Sequence, residues 1–459
     1  MATSHQVGDG DALLAATATQ GLGVRVTKFT NDGHVRHATL IGLASWPEMI
    51  TPDLPLTDRS MPDRSVAEHF DAADALAGWR ERFVLRDPAI MYLDGNSLGM
   101  TPLATIDAMR RVIEEQWAGD LIASWWEHDW LDLPLTVGNE LAPLLGADEG
   151  TVAVHDSTTV GIFQLLNVAL DLPAAGGGPR PPVLAFALSE FPTDRYAAEG
   201  VARLRNGAVR SGLDDLDGVG VVIRSMVDYR SAEICDVAAE TKRANDAGAI
   251  TVWDLSHAVG VLDLDLPALG VELAVGCTYK FLNGGPGAPG FTYVAPHLHH
   301  DMTQPIWGWF GQTDQFAMDN AFDPRPGIGR LLHGTPGILG LTAARSGIAT
   351  TVEAGIGAIA AKAQAITQYG IAIADALGLT VASPRDAARR GGHLAVRHPD
   401  AVRIHRELQA RGVIVDRRDP DILRIGMSPL TTRFVDVYDA LLHLADLAGI
   451  PAEDGTTSS

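Results

Sequence analysis

Short apolar runs alternate with helical or polar stretches through the middle of this chain, from about residue 150 to residue 295. Such runs, bounded by turn-forming residues, are typical of buried strands, and their alternation with helices is typical of a parallel sheet covered by helices. The runs that we interpret as strands are 183–188, 219–223, 249–253, 273–277 and 291–294. The pattern therefore predicts an α/β fold with a mainly parallel sheet.

Upstream of this region the pattern changes to helical spacing. A helix is predicted to begin near Ser65, and a second helix is predicted after Pro102, because proline has no N–H to leave unpaired at a helix start. The second helix carries apolar residues at every third or fourth position. They are Ile106, Met109, Ile113 and Trp117. We interpret this stripe as a face that packs into the core.

The chain is long enough to form more than one domain. An Ala-rich helical region covers about residues 337–377, and two strand-like segments and a helix over about 432–448 follow it. We predict an N-terminal appendage over residues 1–63, a large domain over 64–340 and a small α+β domain over 341–459. The appendage contains strand-like runs and a Pro-rich stretch, so we interpret it as a hairpin and linker or as an arm.

Composition narrows the classes of partner. The formal net charge of −22 argues against nucleic acid as a partner, and no apolar run approaches the length of about 20 residues that spans a bilayer. The N-terminus lacks the pattern of a signal peptide, and Cys235 and Cys277 show neither disulfide nor metal-ligand spacing. We therefore expect a cytoplasmic protein that binds neither membranes nor nucleic acid.

The residues with the clearest chemistry follow two consecutive predicted strands. Asp254 ends the first, and Tyr279 and Lys280 follow the second, ahead of a glycine-rich loop. A carboxylate can keep a pyridine nitrogen protonated, and a lysine can form an imine and transfer a proton, which are the two requirements of pyridoxal 5'-phosphate (PLP) chemistry. Either residue alone would be read as a helix cap or a solvated charge. Their joint occurrence predicts a PLP site.

Two upstream segments complete this predicted site. Thr158 and Thr159 precede an apolar helix, whose free N-terminal amides would favour a phosphate, although an ordinary helix cap explains the same segment. Phe191 and Asp194 follow the predicted strand 183–188, so they would emerge at the carboxyl edge of the sheet. Phe191 is expected to stack on the pyridine ring, unless it belongs to the core.

These motifs identify a family resemblance. The chain resembles kynureninase over about residues 67–448, through the segments LDGNSLG, DLIASW, DSTTV, FPTD, WDLSHAVG, GCTYKFLNGGPGAP, GWFGQ, GTPGIL, RGGHLAVRHP and SPLTTRFVDVYDAL. The resemblance implies the fold-type I PLP fold and hydrolysis of the Cβ–Cγ bond of L-kynurenine or 3-hydroxykynurenine to alanine and an anthranilate. It also implies a place in tryptophan catabolism and NAD biosynthesis.

The resemblance assigns roles to residues around the cofactor. Lys280 would hold PLP covalently, Asp254 would face its ring nitrogen, and Phe191 would stack on the ring. Residues that would line the cofactor are Asp194, Ser225 and His257. Those that would hold its phosphate are Thr158, Thr159 and Tyr279, and Tyr279 would also donate a proton.

Further matched positions concern the substrate and a second subunit. Trp309 and Thr335 match positions that reach the cofactor of the neighbouring subunit, which implies a catalytic homodimer, although Trp309 alone would be read as core. Arg424 would clamp the substrate carboxylate, unless it pairs with Asp421. Our candidates for the pocket of the substrate ring are Ser97, Trp126 and His128. His128 is otherwise an interfacial histidine.

Some positions differ from the family pattern. Gly161, Gln312 and Thr431 replace asparagine, histidine and tyrosine, and YRSAE replaces YRTGE. These changes leave open a ring-modified kynurenine as the substrate. Two rival functions also stay open. A cysteine desulfurase would share Asp254 and Lys280 but needs a mobile loop cysteine, whereas we place Cys277 in a strand and Cys235 in a polar helix. The other rival is a catalytically silent binding protein.

Overall fold

The N-terminal part of the fold is mostly helical. The computed structural model describes residues 63–172 and 181–450, so the predicted hairpin and Pro-rich linker lie outside the described residues. The first elements are α1 (Arg64–Ala73), β1 (Met91–Tyr92), α2 (Leu103–Arg111), α3 (Ser124–Glu127) and α4 (Leu133–Leu141). Asp63 caps α1 by accepting a hydrogen bond from the Ser65 amide. The predicted helix starts are therefore confirmed.

The strands of the central sheet follow. In chain order, with their helices, the elements are β2 (Val152–His155), α5 (Thr158–Asp171), β3 (Val183–Phe186), α6 (Pro192–Leu204), β4 (Ala208–Ser211), β5 (Val221–Ser225), α7 (Val237–Asp246), β6 (Ile250–Asp254), β7 (Leu273–Cys277) and β8 (Gly290–Val294). The strand order is β2-β8-β7-β6-β5-β3-β4, and only β8 runs antiparallel to its neighbours. The prediction of a mainly parallel sheet is confirmed.

Both faces of this sheet are covered, which explains the continuous apolar runs. Neighbouring residues on a strand point to opposite faces. Val252 and Val275 pack into the core on the face that α5 covers, whereas Trp253 and Ala274 pack into the core on the other face. Most positions within these strands are therefore apolar, and the polar residues that line a common opening lie at the strand ends.

The C-terminal region forms a second, antiparallel sheet. Its elements are α8 (Ile338–Ala354), α9 (Ile356–Ala376), β9 (Thr380–Val381), β10 (His393–Arg397), α10 (Ala401–Ala410), β11 (Val413–Ile414), β12 (Asp416–Arg418), β13 (Ile422–Gly426) and α11 (Phe434–Leu447). The order of the four-stranded sheet is β12-β13-β10-β9. Gly355, with φ at +85°, separates α8 from α9 within the predicted helical region. The α+β character is confirmed, and the domain boundaries remain a prediction.

Short helical turns occupy several connections. They are Ala77–Arg82, Leu121–Ala123, Ala142–Leu145, Pro296–Leu298, Trp309–Gly311, Gly327–Leu331 and Ala387–Arg389. The segment Val112–Asp120 continues α2 as a π-helix. No helix among the described residues combines the length and the hydropathy that crossing a membrane requires.

The predicted core stripe of the second helix is wrong for its C-terminal half. Ile113 is 42% exposed and Trp117 is 56% exposed in this chain. The wider turn of the π-helix changes the angle between successive residues, so the stripe leaves the face that packs on the protein. Ile113 and Trp117 therefore contribute to an exposed apolar surface.

Candidate active site

The predicted cofactor residues meet at the carboxyl edge of the central sheet. Ser225 and Asp254 end the neighbouring parallel strands β5 and β6, and Lys280 follows β7. They open on a cavity of about 150 Å³. Its lining residues are Thr158, Thr159, Phe191, Thr193, Asp194, Ser225, Val227, Asp254, Ser256, His257, Tyr279 and Lys280. Parallel strands bring their carboxyl ends to one edge, so residues far apart in sequence become neighbours.

Lys280 lies against a buried histidine. The Lys280 Nζ is 3.1 Å from His257 Nε2. Burial, reinforced by the positive charge of Lys280, holds the pKa of His257 well below its usual range. The imidazole is therefore neutral at physiological pH and can accept a hydrogen bond from the lysine ammonium.

Carboxylates collect at one end of the cavity. Asp254 accepts a hydrogen bond from the Ser256 amide at 2.7 Å, and Asp194 has one buried carboxylate oxygen without a hydrogen-bond partner. Burial, followed by the charges of Asp254 and Glu190, raises the pKa of Asp194 well above its usual range. Crowded acids of this kind favour a cationic group between them.

Glu190 supports this end of the cavity, and our sequence analysis missed it. One of its oxygens accepts a hydrogen bond from the Ser225 amide at 3.0 Å, and the other accepts one from the Ser225 hydroxyl. Burial raises the pKa of Glu190. The residue directly precedes the segment FPTD, so its place in the motif was the available signal.

The opposite end of the cavity is suited to an anion. Thr158 is the first residue of α5, and the Ser157 side chain caps this helix by accepting from the Val160 amide at 3.4 Å. Thr158 donates its hydroxyl to the Gly276 carbonyl at 3.2 Å. Free backbone amides and the helix dipole favour negative charge at this position.

The LDGNSLG loop packs directly on the lysine segment. The Gly99 amide donates to the Tyr279 carbonyl at 2.9 Å. A Cβ atom on Gly99 would lie 2.3 Å from the Lys280 carbonyl oxygen, so only glycine allows this approach. The loop thereby fixes the backbone that carries Tyr279 and Lys280.

Arg424 is fully buried on β13 and pairs with Asp416, not with Asp421. Its guanidinium also donates to the Tyr229 carbonyl at 2.6 Å and to the Ser97 hydroxyl at 3.2 Å. Ser97 in turn donates to Asp416 at 2.7 Å. The structure therefore brings Ser97 and Arg424 together, and Asp416 is a partner that the sequence analysis did not identify.

His393 is a second residue that was not predicted from the sequence. It is 0% exposed, and neither ring nitrogen has a hydrogen-bond partner among the residues that the structure describes. Its ring centroid lies 5.8 Å from that of His257. Burial and the positive charge of Arg424 hold the pKa of His393 well below its usual range, although the nearby Arg230 carbonyl acts to raise this pKa. A histidine in the otherwise apolar strand segment HLAV was the available signal.

Register explains why His393 faces the site. Residues directly opposite each other in antiparallel strands project to the same face of a sheet. His393 is opposite Gly426, and Arg424 is opposite Ala395 and Asp416. His393, Arg424 and Asp416 therefore share the sheet face that is directed at the lysine segment.

Other predicted residues lie away from the Lys280 cavity of this chain. Trp309 is 38% exposed and packs edge-on against Phe310, and Thr335 lines a separate cavity of about 280 Å³. His128 lies 2.8 Å from Asp120, and Trp126 is 56% exposed. Their assignments to a neighbouring subunit and to the substrate ring remain predictions.

The positions that differ from the family pattern serve packing here. A Cβ on Gly161 would lie 2.8 Å from a Val275 methyl group. Glycine in place of asparagine therefore allows close contact between α5 and the sheet. Gln312 accepts from the Asp323 amide at 2.7 Å and ties its own loop together. Thr431 is buried.

Neither cysteine has the environment of a sulfur acceptor. Cys277 lies in β7, as predicted, whereas Cys235 precedes α7, so its placement in a polar helix was wrong. Burial raises the pKa of Cys235 to about 12 and also raises the pKa of Cys277. A thiolate nucleophile is disfavoured at both positions.

Several solved enzyme structures align with most of this chain. Cysteine desulfurase CsdA from Escherichia coli aligns with a TM-score of 0.68 and 18% identity, over 81% of this chain and 98% of that one. A C-DES variant with glycine covalently linked to its PLP cofactor aligns with a TM-score of 0.67 and 15% identity, over 78% and 96%. These likenesses confirm the fold-type I fold.

Sequence relatives give a narrower result. A model of the kynureninase C-terminal domain matches residues 359–444. Kynureninase from Pseudomonas fluorescens is 38% identical over 400 residues, which cover 84% of this chain and 96% of that protein. Kynureninase from Burkholderia pseudomallei (strain 1106a) is 38% identical over 401 residues, with the same coverage. Since these relatives align over nearly their whole length, the chain belongs to the kynureninase family.

Proposed function

We propose that this protein is a PLP-dependent hydrolase that cleaves the Cβ–Cγ bond of L-kynurenine or 3-hydroxykynurenine, giving L-alanine and the corresponding anthranilate. The observation that carries the proposal is the cavity that joins Lys280, Asp254 and the Thr158 helix end in a chain of the kynureninase family. No sulfur-accepting cysteine stands beside that cavity in a mobile loop, which disfavours the desulfurase alternative.

The two ends of the cavity fit the two ends of PLP. The buried acids Asp254 and Asp194, with an unpartnered oxygen on Asp194, fit a protonated pyridine nitrogen. The start of α5, with Thr158 and Thr159, fits a phosphate. Lys280 would bind the cofactor covalently through Nζ, and Phe191 would stack on the ring. When bound, PLP accepts the electrons released at the substrate α-carbon.

The protein's own residues supply the remaining tasks. Arg424 binds the substrate carboxylate, and its pairing with Asp416 and Ser97 fixes the guanidinium plane. Lys280 takes the α-proton, and neutral His257 accepts a hydrogen bond from its ammonium form. Burial raises the pKa of Tyr279, so its phenol stays protonated and can donate to the carbon that cleavage releases.

The direct test is turnover by the purified holoenzyme. Kynurenine and 3-hydroxykynurenine should each be tested for the fluorescence of the anthranilate product and for alanine. We expect turnover to fall by at least about 10³-fold in Lys280→Ala, because one side chain both holds the cofactor and moves the proton. Release of sulfide and alanine from cysteine, without kynurenine cleavage, would refute the proposal in favour of a desulfurase. Cofactor binding without any turnover would indicate the silent binding protein.

The finer points of function rest on the family and on surface composition. We propose a cytoplasmic homodimer that acts in tryptophan catabolism and supplies NAD biosynthesis. An exposed apolar groove of about 440 Å³ supports a second copy as the partner. Its lining residues are Val112, Trp117, Leu121, Ile122, Trp125, Trp130, Ile338 and Leu339. In this dimer Trp309 and Thr335 would reach the neighbouring cofactor.

A further inference from the structure

Two histidines and an aspartate converge outside the Lys280 cavity. His155 ends β2, Asp156 follows it, and His333 comes from the loop before α8. One side-chain ligand atom from each of these residues lies within 4.8 Å of the other two. The group borders the cavity of about 280 Å³ that Thr335 also lines. The function proposed above uses none of these three side chains.

The separations match ligands of a common ion. Asp156 Oδ2 lies 3.3 Å from His155 Nδ1 and 2.8 Å from His333 Nε2. Imidazole nitrogens and carboxylate oxygens bind Zn²⁺ at about 2.0–2.2 Å, so ligand atoms in a tetrahedral shell are expected about 3.4 Å apart. The two separations from Asp156 are close to this value, and the histidine ligand atoms lie within 4.8 Å of each other.

The direction of the His333 ring argues against a simple hydrogen bond. Although Nε2 is only 2.8 Å from the Asp156 oxygen, the contact lacks the angle of a hydrogen bond, and no other described residue pairs with this nitrogen. A donor points its N–H at the acceptor, whereas two ligands of one ion point at a third position between them. The His333 nitrogen and the Asp156 oxygen fit the second arrangement.

The second ring nitrogen of His155 also has the kind of contact that is typical of a metal ligand. Its Nε2 lies 3.0 Å from the Thr292 hydroxyl, and its side chain is only 4% exposed. Histidines that bind a metal usually donate their second ring N–H to an oxygen, which fixes the ring and its tautomer.

We propose that His155, Asp156 and His333 form a binding site for a first-row divalent cation, such as Zn²⁺. Three protein ligands leave coordination positions open toward the cavity, where water can complete the shell. The ion would join the end of β2 to the loop before α8. Asp156 lies two residues before Thr158, so the ion would also stiffen the anion-binding end of the Lys280 cavity.

The test is a titration of Zn²⁺ into tag-free holoenzyme that has been treated with a chelator and dialysed. We expect one equivalent to bind with a Kd below about 10 µM, and loss of a protein ligand to weaken binding by at least about 100-fold in His333→Ala and His155→Gln. His297→Ala is the matched control, because His297 also pairs with a carboxylate, Glu272, at 2.8 Å, but no third possible ligand joins this pair among the described residues. Its binding should match that of the unchanged protein.

Two results would overturn the site. One is the absence of Zn²⁺ uptake at 100 µM (about tenfold above the expected Kd). The other is uptake that is equal in all variants, since the ion would then sit elsewhere. Co²⁺ provides an independent readout, because its ligand-field absorption should appear in the control and disappear in His333→Ala. Circular dichroism of each variant checks folding, and kynurenine turnover is not required for any of these measurements.

Discussion

At the residue scale, the site depends on histidines that are kept neutral. His257 and His393 are both buried, and positive charges from Lys280 and Arg424 act on them. A neutral imidazole can both donate and accept a hydrogen bond, so it can bridge a cation and an anion without adding charge. His393 lies beside His257 on the sheet face that carries Arg424, and its ring nitrogens have no hydrogen-bond partner among the described residues.

Replacing His393 should therefore impair the enzyme in a way that depends on polarity. We expect kcat/KM for kynurenine to fall by about 10- to 100-fold in His393→Leu, because leucine removes two ring nitrogens that could hydrogen-bond to a bound ligand, an effect of about 1–3 kcal/mol. His393→Gln keeps a donor and an acceptor and should recover most of the loss. Equal activity of both variants would show that His393 only fills space.

The same residue predicts a pH effect on stability. The folded-state pKa of His393 is lowered, so the folded protein excludes a proton that the unfolded chain binds below about pH 6.5. Its contribution to stability is present above that pH and is lost as pH falls, by up to about 1.4 kcal/mol per pH unit. Buried acids such as Asp94, whose pKa burial raises to about 6, act in the opposite direction.

The difference between variants isolates this contribution. We expect the melting temperature of the holoenzyme to drop more between pH 7 and pH 5.5 in the unchanged protein than in His393→Gln. The difference should correspond to about 1 kcal/mol in the free energy of unfolding. An equal drop in melting temperature in both proteins across this pH interval would contradict the buried neutral state of His393.

At the element scale, the LDGNSLG loop acts as a clamp on the lysine segment. The loop follows β1, which pairs with β11 of the C-terminal region, and its Gly95 amide donates to the Gly426 carbonyl. At its other end, Gly99 contacts the Tyr279 and Lys280 carbonyls. The loop therefore joins the strand that carries Arg424 to the segment that carries Lys280.

A methyl group on Gly99 should loosen this clamp. Gly99→Ala places Cβ 2.3 Å from the Lys280 carbonyl oxygen, which forces the backbone apart. We expect kynurenine turnover to fall by about 100-fold or more, because small displacements of catalytic groups are costly. Gly78→Ala is the control, since no atom lies within 4 Å of a Cβ there. Full activity of Gly99→Ala would disprove the clamp.

At the scale of the whole molecule, the exposed apolar groove indicates an interaction surface. Ile122 is 72% exposed and Leu121 is 65% exposed, next to the exposed indole of Trp117. A contiguous apolar surface of this kind is uncommon on monomeric proteins. A second copy on this groove is the homodimer proposed above, in which the family resemblance assigns Trp309 and Thr335 to the neighbouring cofactor.

A charge in the groove should therefore dissociate the protein. We expect Ile122→Asp to convert a dimer into a monomer in light scattering, because a buried carboxylate without a partner is strongly unfavourable at an interface. Leu204→Asp is the control, since Leu204 is 59% exposed but lies outside the groove. A dimer that survives Ile122→Asp would place the interface elsewhere.

The sequence alone determined five of the seven strands of the central sheet and the residues that follow them, whereas β2 and β4 were not predicted. Asp254, Lys280, Thr158 and Phe191 could be identified because each directly follows or precedes an apolar run, and the carboxyl ends of parallel strands meet at one edge whatever the packing. Local spacing was therefore sufficient for these residues. Arg424 was identified from the family resemblance, without its partner Asp416.

Only the tertiary structure decided the features that depend on contact between distant segments. The pairing of Arg424 with Asp416, the position of His393 beside His257 and the meeting of His155 with His333 follow from strand register and loop placement. The exposure of Trp117 follows from the wider turn of a π-helix, which its apolar spacing does not reveal. The residues at strand ends follow from the local sequence, whereas the partners of buried polar groups depend on how distant segments pack together.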